Sequence, residues 1–125
     1  MDKPTLVDDD MKAGEGLLKK LDGIKFDVKA AFWFYLPELN EWRLIFASPA
    51  VDKKGPKEAY ETVQSQLQDL KQLSLQNISL VSPNDNLVKL LKAAIKTGPG
   101  VSHIRFTGNV INNVFIEDAY IYRVV

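Results

Sequence analysis

The chain contains no cysteine and only one histidine. Disulfides, thiolate nucleophiles and cysteine-ligated metals are therefore excluded, and a multi-histidine zinc site cannot be built within one chain. An excess of either charge is also missing, because sixteen basic residues face sixteen acidic ones. The whole molecule thus has no net attraction for nucleic acid or for an anionic membrane. No apolar run approaches the ~20 residues of a membrane helix. The start, Met1-Asp2-Lys3-Pro4 followed by Asp8-Asp9-Asp10, lacks the basic head and apolar centre of a signal peptide. A cytoplasmic protein with no membrane partner, no metal and no cofactor is expected.

What is present is an ordinary globular composition. The 125 residues are 46% hydrophobic and 26% charged, which suits one domain with a real core. Residues 1–125 are read as that single domain, with residues 1–5 expected to fray at its end.

The C-terminal segment carries the sharpest local signal. A two-residue turn at Asn112-Asn113, a pair able to take positive φ, sets Ile111 opposite Val114. Counting outward, Val110 meets Phe115, Phe106 meets Ala119 and Ile104 meets Ile121 on one face. Thr107 with Asp118, Arg105 with Tyr120 and His103 with Tyr122 fall on the other. Apolar partners sort from polar ones, as a half-buried hairpin requires. Glu117 is the exception on the apolar side, opposite Gly108.

The rest of the chain reads as alternating elements. Val7, Met11, Gly14, Leu18 and Leu21 recur at helical spacing, starting from about Leu6 or Asp10 and ending at Leu21 with Gly23 as a cap. Val28–Leu36 and Trp42–Ser48 read as strands joined by a five-residue loop, which pairs Leu36 with Trp42, Phe34 with Leu44 and Trp33 with Ile45. Both faces of this hairpin are apolar, so it is placed at the centre of a sheet covered on both sides. A strand ending in Ser48-Pro49 leads through a loop to a helix from Pro56 carrying Tyr60, Val63, Leu67 and Leu70. A second strand, Ile78–Val81, ends in Ser82-Pro83 and leads to a helix over Asp85–Lys96. Gly98-Pro99-Gly100 closes that helix. The expected fold is α+β in the order αββαβαββ: three helices and a mixed, mostly antiparallel five-stranded sheet of two hairpins plus one strand.

Three groups of residues offer chemistry. His103, Arg105, Asp118, Tyr120 and Tyr122 share the polar face of the hairpin, a mixed Arg/Tyr surface of the kind enriched at protein contacts. Glu117-Asp118 resembles a paired-carboxylate metal site, but adjacent strand residues point to opposite faces and do not converge without a bulge. The loops after Ser48 and Ser82 open at one sheet edge if their strands are parallel, so Ser48, Lys53, Lys54, Ser82 and Asn84 could border an anion-binding crevice. Trp33, Tyr35, Trp42 and Phe32 alternate with apolar partners and are read as core, not as a base-stacking platform.

No phosphate-binding loop, nucleophile elbow, dinucleotide fingerprint or calcium loop is present. The sequence therefore favours a small binding or regulatory module over an enzyme, acting through a protein partner or self-association by way of the C-terminal hairpin. The first alternative is a protein or enzyme for a small anionic ligand at the two Ser-Pro loops. The second is single-stranded nucleic-acid binding, which requires Arg43, Arg105 and Arg123 to gather with tyrosines.

Overall fold

The computed structural model describes residues 2–125. Its elements are α1 (Asp8–Gly23), β1 (Ala30–Leu36), β2 (Glu41–Ala47), α2 (Ala50–Lys54), α3 (Pro56–Ser65), β3 (Ile78–Val81), α4 (Asn86–Lys92), β4 (Ile104–Ile111) and β5 (Val114–Val124). The five strands form one sheet in the order β3-β2-β1-β5-β4. Only β2 and β3 run parallel, connected through α2 and α3. The α+β class and the mixed five-stranded sheet follow the sequence reading. The helix count does not: the segment Ala50–Lys54, expected as loop, forms an additional helical turn. The α4 helix is also shorter than the expected Asp85–Lys96.

Two apolar clusters sandwich the sheet. On one face, Leu17, Leu18 and Leu21 of α1 and Ala59 and Val63 of α3 pack on Trp33, Tyr35, Leu44 and Phe46. On the other, Val88 and Leu91 of α4 join the cluster of Phe32, Ile45, Ala119 and Ile121. The α1 helix starts with Asp8, Asp9 and Asp10 at the positive end of its dipole, and the Asp10 carboxylate accepts from the Val7 N–H at 3.4 Å. Gly14, Leu18 and Leu21 of the expected stripe are buried, with Ala13 and Leu17 beside them, whereas Val7, which only caps the helix, is exposed and Met11 is half-buried. The β1–β2 hairpin is central, with both faces covered, as its apolar composition requires.

Its register, however, differs by one residue from expectation. Leu36 pairs with Glu41, Phe34 with Arg43 and Trp33 with Leu44. Asn40 accounts for the shift. With φ at +50° it turns the chain one residue early, and its side-chain oxygen accepts from the Tyr35 hydroxyl at 2.6 Å.

The C-terminal hairpin has the expected register from Ile104↔Ile121 to Ile111↔Val114, closed by Asn112 and Asn113 at φ +48° and +68°. Two irregularities change which side its residues face. Opposite Ala31, β5 accommodates an extra residue, so Tyr122 and the following Arg123 both reach α1. At Gly108, φ is +62° and the ladder skips the Gly108–Glu117 pair. Beyond this point the alternation resets: Ile111 and Ile116 join the α4-side cluster, while Val110 and Phe115 are left in solvent. The expected placement of Val110 and Phe115 on the buried face is thereby overturned, because a strictly regular strand was assumed.

Candidate functional site

The polar face of the hairpin is built around Asp118. Its side chain is almost completely buried, yet both oxygens are fully engaged. Oδ1 accepts from Arg105 Nε at 2.7 Å and Thr107 Oγ1 at 3.1 Å, and Oδ2 accepts from Arg105 Nη2 at 2.7 Å and Lys3 Nζ at 2.6 Å. Burial alone would raise the carboxyl pKa. The hydrogen bonds from Arg105, Lys3 and Thr107 outweigh that penalty and hold it at about 2. A carboxylate whose acceptor positions are filled and whose pKa is that low has neither the vacancy nor the basicity of a general base.

Lys3 reaches this site from the N-terminal segment. Residues 2–4 belong to the stretch expected to fray, but they are bound to the sheet. The Pro4 carbonyl accepts the Trp42 indole N–H at 2.8 Å, and the Asp2 carbonyl accepts from Asn40 Nδ2 at 3.2 Å. The Lys3 ammonium lies 4.9 Å from the centre of the Tyr35 ring and 3.9 Å from Glu117 Oε2. The irregularity at Gly108 thus does what a regular strand could not. Glu117 and Asp118 both approach one cation, and that cation is a lysine of the same chain.

Tyr122 is fully buried. Its hydroxyl donates to the Met11 carbonyl of α1 and accepts the Trp33 indole N–H at 3.1 Å, and burial pushes its pKa well above the usual tyrosine range. The other two members stay partly open. His103 Nε2 lies 2.6 Å from Glu15 Oε1, which lowers the Glu15 pKa with help from Lys19. Tyr120 stacks edge-on against Tyr122 with ring centres 5.3 Å apart, and its pKa is raised by burial. His103 and Tyr120 border a shallow depression of 360 Å³ with Asp8, Met11, Lys12 and Glu15. The five residues are therefore together, but α1 and the N-terminal segment cover Asp118 and Tyr122. The sequence shows an amphipathic helix and a polar hairpin face without showing that one lies on the other.

The Ser-Pro loops do lie at one sheet edge, since Ala47 and Val81 are parallel neighbours. A side-chain hydrogen bond links the two. Ser82 Oγ donates to Asp52 Oδ2 at 2.9 Å and accepts the Asn84 N–H at 3.0 Å. Ser48 is fully buried, donating to the Phe26 carbonyl at 2.6 Å and accepting the Ala50 N–H at 3.1 Å. Lys53 and Lys54 face a different hollow, shared with Lys25, Phe26 and Asp27 from the α1–β1 connection. Sequence reasoning missed Lys25, whose φ of +58° offers no sequence signal in a lysine.

Phe32, Trp33, Tyr35 and Trp42 are buried, as their pattern indicated. Arg43, Arg105 and Arg123 are each paired, with Glu41, Asp118 and Asp22 respectively. They present no shared basic surface with stacked tyrosines. Among the described residues, no group of three or more His, Asp or Glu side chains could hold a metal ion. Among the same residues, no helix is long and apolar enough to cross a membrane. Compared with protein-family models, with curated proteins and with solved structures, the chain matches none.

Proposed function

We propose that this protein is a small cytoplasmic contact module that associates with a second copy of itself through the outer end of the β4–β5 hairpin. The observation that carries this reading is the exposure of the cross-strand pair Val110 and Phe115, at 63% and 61%, beside the unpaired edge of β4. Val114 adds a third exposed apolar side chain at the same end. Large apolar residues clustered at an open sheet edge mark a contact surface, and an aromatic in such a cluster supplies the anchor. An apolar patch is also complementary to its own copy, which a two-fold contact demands. Gly108 interrupts β4, so the contact is made by these side chains more than by a long added strand. The surface lies beyond the His103–Tyr122 face, where α1 covers Tyr122 and Lys3 of the N-terminal segment holds Asp118.

Light scattering across a concentration series tests this directly. The wild-type mass is expected to rise from the 14.1 kDa of one chain towards twice that value, while F115D stays at the single-chain mass. A wild-type protein that remains monomeric at about millimolar concentration, where even weak contacts form, would end the proposal.

A further inference from the structure

We infer that the hollow between the α1–β1 connection and α2 binds a small organic anion, a carboxylate or phosphate on a compact apolar body. The hollow measures 300 Å³, at the small end of the range for ligand sites. Phe26, Pro49, Ala50 and Ala59 give it an apolar lining, with Phe26 and Ala59 part of the buried core. Lys25, Lys53 and Lys54 supply the charge.

Two features separate this hollow from an ordinary lysine-bearing surface. First, its cations are uncompensated. Among the described residues, Lys25, Lys53 and Lys54 make no ion pair, whereas Asp27, the one acid lining the hollow, is held by Lys29 at 3.0 Å. Like charges gathered around an apolar concavity repel one another, and an anion placed among them removes that repulsion. Second, the wall carrying Lys25 is fixed. Lys25 and Asp27 both take positive φ, +58° and +65°, and the Phe26 carbonyl between them is tied to the buried Ser48 hydroxyl. Two non-glycine residues so close together in the left-handed region are costly, and such strain persists only where the surroundings enforce it. The hollow is therefore preformed and does not need to be assembled by its ligand. The apolar floor gives an organic anion an advantage over a bare ion, because only the former gains by displacing water from it.

The test is an amide-resolved NMR titration with phenyl phosphate, benzoate, inorganic phosphate and benzyl alcohol. At least one of phenyl phosphate and benzoate is expected to give saturable shifts confined to Ile24–Asp27, Ala50–Lys54 and Thr62. Which of the two binds more tightly distinguishes a phosphate from a carboxylate head. Inorganic phosphate and benzyl alcohol, each lacking half of the recognition, are expected to bind at least roughly tenfold more weakly. K53E/K54E, which alters two exposed side chains, is expected to weaken binding by roughly tenfold or more with little change in melting temperature. Should that variant melt early, K53Q/K54Q replaces it with the same expectation. Failure of both organic anions to saturate by about 10 mM would overturn the inference. So would equal binding of inorganic phosphate, or undiminished affinity in the double variants.

Discussion

The phenol of Tyr122 lies directly beneath Gly14, at a point in α1 where a side-chain carbon has no room. A Cβ built on Gly14 would collide with the Tyr122 hydroxyl and lie 2.9 Å from the Trp33 indole nitrogen. Glycine costs a helix about 1 kcal/mol relative to alanine, yet here it lets the helix approach the tyrosine. G14A is accordingly expected to destabilise the protein by about 1–3 kcal/mol, the usual range for overpacking. G16A, whose nearest neighbour is Leu70 Cδ2 at 3.4 Å, is expected to be neutral or up to about 1 kcal/mol more stable. Urea denaturation of the two variants reads the difference in sign; two equal shifts would mean that α1 does not rest on Tyr122.

Asp118 makes stability depend on acid. Its carboxyl is held at about 2 in the folded protein, against an ordinary value of about 3.9 in the unfolded chain. As pH falls the unfolded chain takes up the proton first, so the stabilisation present above about pH 4 is lost on the way down to about pH 2. The loss attributable to this group is about 2 kcal/mol. D118N is expected to lower stability at neutral pH by about 2–4 kcal/mol and to show a correspondingly flatter acid dependence. Unfolding measured at pH 7, 4 and 2.5 on both proteins checks it, and parallel pH profiles would count against the Asp118 cluster as the cause.

The N-terminal segment is expected to contribute measurably to the fold. Removing residues 2–5 takes away the Lys3 ammonium from Asp118 and the Pro4 carbonyl from the Trp42 indole. A stability loss of about 1–3 kcal/mol and a red-shifted tryptophan emission are expected as Trp42 meets water. An unchanged emission maximum would show that the segment does not cover that ring. K3M separates the two contributions: it removes the ion pair while keeping an apolar stem against Tyr35 and Trp42.

Much of this fold is legible in local pattern, and the exceptions have local causes. The C-terminal register follows from Asn112-Asn113 because those residues accept positive φ and a two-residue loop allows one pairing. The loop before Trp42 is less constrained, and Asn40 closes it one residue earlier than the count suggests. Alternation along β4 and β5 is readable up to Thr107 and Asp118. Gly108 then takes a conformation that a glycine permits but does not announce, and Val110 exchanges places with Ile111. The candidate site was legible as a set of residues, since Arg105, Thr107 and Asp118 are cross-strand neighbours. Its cover was not, because Lys3, Glu15 and Met11 reach it from more than eighty residues away in the chain.

The absence of cysteine makes the hairpin contact open to a site-specific measurement. V110C places the only thiol of the chain at the exposed end of β4, and K57C places one on the exposed side of α3 as a control. Treated with a short bis-maleimide at a protein concentration where light scattering shows the wild-type dimer, V110C is expected to form a covalent dimer far faster than K57C. Equal, slow reaction of the two variants would remove the outer hairpin as the place where two copies meet.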